Sequence, residues 1–321
     1  MDKYTAKLID QMGLFLLHLK KSRTSQFYEG GEKQVWVDIE RTEDFYSFPR
    51  LPDVTLQLDS QNLEYRVGRY FFESEIKSED PSNNIASGSY YMKETEEEPV
   101  HVIFVHGWRM DNLDRIKNIF LKRFMKLGNN MYFVHLPYHF ERTSGGLYSG
   151  EYMISANVGR SVASVRQAVI EIRALIKWLK KNYGGKVILI GVSLGGLIAN
   201  LSAAVEEEID VLVSVMYANS LSYEVWKTPI GKYTKKDFEQ HGFTYEQLKK
   251  CWSVLEPSCW QPKVKKENIL LISGIHDQYI RKEDSEALWT AWNHPKRFLY
   301  PVDIRGLCCI EGKLRKMSHG L

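Results

Sequence analysis

The 321-residue sequence predicts an α/β fold with a mostly parallel central sheet and helices on both faces. Three observations carry that reading. From residue 101 onward, short apolar runs alternate with helical stretches, the pattern of parallel strands buried on both sides. The apolar run Val187 to Ile190 leads into G-V-S-L-G at 191–195 and then into Leu197, Ile198, Leu201 and Val205 at helical spacing: a strand, a tight turn and a helix in succession. Before it, Val162, Val165, Val169, Ile172, Ile176 and Leu179 step by three and four, which marks one long amphipathic helix.

Taken in order, Leu8, Met12, Phe15 and Leu19 recur at spacings of four, three and four, so an amphipathic helix docked on the body is expected first. Its apolar run, residues 12–17, is too short to span a membrane and lacks the cleavage site of a signal peptide. Val54, Leu56 and Leu58 alternate with polar residues, as do Leu63, Tyr65 and Val67, and residues 88–92 form a third short run; these read as antiparallel edge strands. Residues 78–84, with Pro81 and two asparagines, read as a loop, and Glu96 to Pro99 as a solvated turn. Strands are then expected at 101–106, 131–136, 186–191, 211–217, 269–274 and 297–302. The division is an N-terminal part, 1–98, belonging to the same domain as a core at 99–321, with an insertion at about 221–268 and an atypical tail at 302–321.

That insertion is too long for a simple connection and holds Tyr223, Trp226, Tyr233, Phe238, Phe243, Tyr245, Trp252 and Trp260. It leaves the sheet at the carboxyl end of a strand, where open α/β sheets hold ligands. It reads as a helical cap whose aromatics are partly packed on the body and partly line an apolar pocket. A peripheral insertion with its own small core is the alternative.

Composition narrows the function. With 43 basic against 40 acidic residues and no long basic run interleaved with aromatics, nothing points to nucleic acid. Cys251, Cys259, Cys308 and Cys309 make neither a disulfide framework nor a zinc pattern, so a reducing, cytoplasmic location is expected. His135 and His139 are four apart, but Pro137 between them argues against a shared helical face, and no metal or other cofactor is implied. His139, beside Tyr138, is expected near the pocket.

What remains is serine chemistry. Ser193 would sit at the apex of the turn, flanked by Gly191 and Gly195 because the strand and helix cross where a side chain has no room. An activated serine needs oxyanion donors, an orienting acid and a base. The amide of Leu194 opens the helix and points outward unpaired; a second donor is expected from the amide of Trp108, where the strand at 101–106 breaks into His-Gly. His106 could be a base, but its place before a glycine turn favours a structural role. Asp277, just past Gly274 where a buried strand breaks, is favoured as the acid over Glu283 and Asp284, which fall at the start of the next helix where acids offset the dipole.

These features resemble the α/β-hydrolase superfamily over about residues 101–302, on H-G-W at 106–108, G-V-S-L-G at 191–195 and G-I-H-D at 274–277. More loosely, L-P-Y-H at 136–139 with S-G-E at 149–151 resembles bacterial hydrolases related to the hydrolase-domain 18 group. The resemblance implies Ser193 as nucleophile, Asp277 as acid, the amides of Leu194 and Trp108 as oxyanion hole, and a histidine just after the last strand. Here the sequence departs from the pattern: Asp303-Ile-Arg-Gly306 contains none. Only His294, which precedes the strand, and His319, near the chain end, follow Asp277. One extra nucleotide before the codon of Val302 would make 302–306 compatible with Cys-Gly-His-Ser-Gly, with a histidine at position 304. The expected function is a serine hydrolase of a small-molecule carboxylic ester; the alternative is a catalytically impaired member that binds ligands or partners.

Overall fold

A computed structural model describes residues 24–30, 45–47, 50–62, 64–94 and 97–301. The N-terminal helix anticipated around residues 8–19 and the tail at 302–321 lie outside the described residues. One nine-stranded sheet organises the chain, in the order β1-β2-β3-β5-β4-β6-β7-β8-β9. The antiparallel edge is β1 (Thr55–Gln61), β2 (Arg66–Glu73) and β3 (Ile85–Met92). β5 (Asn130–His135) pairs antiparallel with β3 and parallel with β4 (Val100–Val105). From there β6 (Lys186–Val192), β7 (Val211–Val215), β8 (Ile269–Gly274) and β9 (Lys296–Tyr300) continue in parallel.

The parity of β4 shows how the sheet is covered. Val102 and Phe104 pack with Ile116 and Phe120 of α1 (Asp114–Lys126) on one face. Ile103 and Val105 turn to the other, among residues of α2 (Val158–Tyr183) and α3 (Leu194–Val205). Helix α2 is the long amphipathic one: each of its six stepping residues is at most 3% exposed. Asn157 caps it by accepting the amide of Arg160, and Gly184 ends it at φ 66°.

The second edge strand starts later than its alternation suggested. Asn62 folds the chain into a side-chain-capped turn, its Oδ1 accepting the amides of Glu64 at 2.9 Å and Tyr65 at 2.8 Å. Tyr65 therefore sits before β2, its hydroxyl donating to the carbonyls of Met125 and Asn129. Turn chemistry overrode the period-two pattern there. Residues 78–84, read as a loop, close on a 3-10 turn, Pro81–Asn84.

Between β7 and β8 run α4 (Leu221–Lys227), α5 (Lys232–Gln240) and α6 (Tyr245–Trp252), followed by 3-10 turns. Phe238, Phe243 and Trp252 are buried in the same cluster as α2 and α3, so this segment shares the main core. Its α5 also holds the described N-terminal piece: Asp237 accepts the Ser25 hydroxyl and the Gln26 amide, and Phe27 stacks on His241 at 4.4 Å. After β8 comes α7 (Lys282–Ala291). No helix among the described residues is long and apolar enough to cross a membrane.

Candidate active site

The carboxyl ends of β4, β6 and β8 carry the residues singled out in the sequence. Ser193 follows β6 at φ 57°, ψ −118°, a strained conformation for a residue with a side chain. The surrounding structure imposes it: the Ser193 amide donates to Val215 O at 3.0 Å, and its carbonyl accepts the Gly196 amide at 2.9 Å. A Cβ on Gly191 would lie 2.2 Å from Gly195 O, and one on Gly195 the same distance from Val105 O. Strand and helix thus cross at backbone contact, leaving Ser193 partly exposed at the bend and its hydroxyl without a hydrogen bond among the described residues.

Because Val105 pairs with Gly191, the turn after β4 lies beside the elbow. A Cβ on Gly107 would come within 3.3 Å of Ser193 Cβ and 3.8 Å of its Oγ. Leu194 is the first residue of α3, so its amide has no carbonyl to meet within the helix. Trp108 follows Gly107 and is anchored by Nε1 donating to Gly150 O at 2.7 Å.

Two neutral histidines brace this turn. His106 accepts the Leu136 amide on Nε2 at 3.1 Å, so its proton is on Nδ1, 2.7 Å from Gly107 O. His139 accepts the Arg109 amide on Nε2 at 3.1 Å and donates from Nδ1 to Pro137 O at 2.9 Å. Burial, the larger cause in both, pulls His106 well below the usual imidazole value and His139 down to about 4. With both lone pairs on Nε2 already taken, neither ring can accept a proton from Ser193. His139 is wholly buried and does not line the cavity described below, contrary to expectation.

The L-P-Y-H and S-G-E stretches meet here as well. Gly150, at φ 81°, has no room for a Cβ, which would lie 2.4 Å from His139 Nε2 and 3.0 Å from Trp108 Cδ1. Ser149 Oγ donates to Met110 O at 2.5 Å. Both motifs therefore support the turn after β4.

Asp277 follows β8 and is 6% exposed, with Oδ1 accepting the amides of Tyr279 at 2.8 Å and Ile280 at 3.0 Å. Asp284 differs from its reading. It lies in the first turn of α7, but its carboxylate holds the chain entering α4, accepting the amides of Asn219 at 2.6 Å and Ser220 at 2.9 Å, while Ser220 itself caps that helix. Burial pushes Asp284 up to about 6. Glu224 beside it is raised well above the carboxylate range, by burial first and by the Asp284 charge second. Glu283 is exposed. His294 lies just before β9, at the opposite edge of the sheet, with its ring against Trp289 at 4.3 Å. His135 binds Glu141 at 2.6 Å.

A cavity of about 410 Å³ opens beside Trp108 and Arg109, bounded by Tyr148, Glu151, Ile154 and Ser155, by Thr24 to Gln26, and by Ile230, Tyr233 and Thr234 across it. Its lining is mixed, not apolar as anticipated. Of the insertion's aromatics, only Tyr233 reaches it. Polar side chains from the N-terminal piece, which carries no apolar periodicity, supply part of the wall.

The fold is shared with solved hydrolases. An acetyl xylan esterase from Paenibacillus sp. R4 superposes with a TM-score of 0.64 at 12% identity, covering 95% of this chain and 98% of the esterase. Residues 157–253, from the cap of α2 through the elbow to α6, match the family model for alpha/beta hydrolase domain containing 18. The uncharacterized protein YdjC of Bacillus subtilis (strain 168) is 46% identical over 103 residues, 32% of this chain and 89% of YdjC. The chain belongs to the α/β-hydrolase superfamily. Within that superfamily, the uncharacterized protein Rv2627c of Mycobacterium tuberculosis is 28% identical over 208 residues, 62% of this chain and 48% of its own length, so the chain spans about half of that relative.

Sequence reasoning for this α/β-hydrolase missed Arg109 and the Glu224–Asp284 pair. Arg109 stands directly after H-G-W, where its nearness to the elbow could have flagged it. The carboxylate pair joins residues 60 positions apart and had no local signal.

Proposed function

We propose that this chain is a serine hydrolase that cleaves a small-molecule carboxylic ester through an acyl-enzyme. Ser193 attacks the ester carbonyl, and the amides of Leu194 and Trp108 receive the developing oxyanion. The alcohol leaves, and water releases the acid through a second oxyanion. Asp277 is the orienting acid. Two strand spacings of about 4.8 Å separate the β8 turn from the elbow, a gap that one imidazole with a hydrogen bond at each nitrogen would bridge. The observation that carries the reading is the strained φ of 57° at Ser193, held between Gly191 and Gly195 and facing the Gly107 turn. The insertion acts as a cap, with Ile230, Tyr233 and Thr234 closing the cavity over Trp108. A reducing, cytoplasmic setting, drawn from the cysteine pattern of the sequence, is part of this proposal.

A specific observation favours slow turnover. Asp303 to Gly306, directly after β9, hold no histidine to bridge Ser193 and Asp277; His319 follows only near the chain end, and His106 and His139 are committed elsewhere. The oxyanion hole and binding alone still give about 10³ to 10⁴-fold over water. A fluorophosphonate probe tests the nucleophile: it labels Ser193, and Ser193→Ala abolishes labelling. Equal labelling of that variant refutes the assignment.

A further inference from the structure

Arg109, next to the proposed oxyanion donor, is only 9% exposed and makes no ion pair with a carboxylate among the described residues. Its guanidinium lies over the Tyr148 ring, with Cζ 4.1 Å from the centroid, and 5.4 Å from the Trp108 ring. Nε and Nη2 are buried and make no hydrogen bond among the described residues. Glu151 and Asp111 favour its charge through space, yet no ion pair joins Arg109 to a carboxylate among the described residues. Across the cavity, Asp237 is already engaged by Ser25 and Gln26.

Leaving a buried cation unpaired is costly, and cation–π contacts offset only part of that cost. The unpaired atoms are also a particular pair. Nε and Nη2 form one edge of the guanidinium, whose two parallel N–H groups match the two oxygens of a carboxylate. Arg109 is at the same time a wall of the cavity, together with Trp108 and Tyr148. The rest of that wall carries Glu151, Asp237 and Lys236 beside Ser155, Thr234 and Gln26, and suits a polar ligand better than a long acyl chain.

We propose that Arg109 is a specificity residue that binds a carboxylate on the substrate, so that the preferred ester carries a negative charge at the end away from the scissile bond. This rests on the serine-hydrolase reading above. Nε and Nη2 are enclosed in the wall, so the proposed contact requires the guanidinium to turn within its aromatic stack.

The test compares the mono-p-nitrophenyl ester of adipate with p-nitrophenyl hexanoate. The adipate carboxylate is too distant to attack its own ester readily, so background release stays low. The full chain favours the adipate ester in kcat/KM by at least about tenfold, mainly through KM, as one charge-assisted contact of about 1.5 kcal/mol implies. Arg109→Gln lowers the adipate-to-hexanoate ratio by the same factor, and Arg109→Lys recovers part of it. An unchanged ratio in Arg109→Gln overturns the proposal while leaving the hydrolase reading standing. If Ser193→Ala cleaves both esters as fast as the parent, the hydrolase reading fails instead. Calorimetric binding of adipate to Ser193→Ala then decides the Arg109 question by itself. Binding that weakens at least about tenfold on adding Arg109→Gln supports the site; equal binding, or none, overturns it.

Discussion

The elbow edge of the sheet and the acid edge are held in different ways. Around Ser193 the geometry is written into the backbone: glycines at van der Waals limits, a serine amide tied to Val215, and two buried histidines bracing the neighbouring turn. At the β8 edge, Asp277 is placed by two amides, those of Tyr279 and Ile280, close by in the chain. The proposed nucleophile and oxyanion donors are thus products of local chain crossing, whereas the proposed proton relay would hang on a single side chain. One half can persist without the other.

The sharpest way to break the first half is Gly191→Ala. Its Cβ would meet backbone that cannot move aside, so a loss of about 3 kcal/mol or more, or failure to fold, is expected in urea denaturation. Gly145→Ala, with no atom within 4 Å of the new Cβ, should stay within about 0.5 kcal/mol of the parent. Equal effects would show that the crossing is not what fixes the elbow.

His106→Ala comes next. It strands the buried Leu136 amide and frees the Gly107 carbonyl, at a cost of about 1–3 kcal/mol, and it should slow probe labelling of Ser193 by loosening the donor turn. Unchanged labelling would separate the brace from the oxyanion hole.

The pH dependence isolates the same brace. His139 is held down to about 4 in the fold but protonates near 6.5 when unfolded. Its contribution is therefore whole above pH 6.5 and declines as pH falls toward 4, by up to about 1.4 kcal/mol per pH unit. His139→Gln removes that contribution, so its stability should fall less steeply over the same window. Raised groups such as Asp284 tilt both proteins alike and cancel in the comparison. Parallel curves would contradict the neutral assignment.

The smallest effect is expected at the other edge. If the proposed missing base is right, Asp277→Asn changes Ser193 labelling by less than about threefold, against about 10⁴ in kcat for the equivalent loss in an intact triad. A large loss would mean that Asp277 already has a histidine partner.

The same contrast governs what the sequence revealed. All six parallel strands and the elbow were legible because apolar runs and glycine spacing are local signals, and the helix at 162–179 announced itself by periodicity. The start of β2 was misjudged where an asparagine side chain reshaped the backbone. The insertion's helices were foreseen, but not the polar character of the cavity, because its wall draws on residues 24–26 and 151–155, which carry no apolar pattern. Asp284 looked like an acid offsetting the dipole of its own helix and instead holds the chain before α4, since its partners lie 64 and 65 positions away. Such pairings exist only once the chain has folded.

We propose a nucleophilic half that is assembled but lacks its base. The most direct test supplies one nucleotide before the codon of Val302 and measures turnover of p-nitrophenyl acetate beside the parent, with Ser193→Ala as control in both. The account predicts a rise of at least about 10²-fold, the usual size of a general base, and its loss in Ser193→Ala. Unchanged turnover in a folded protein whose Ser193 is labelled as before would contradict it.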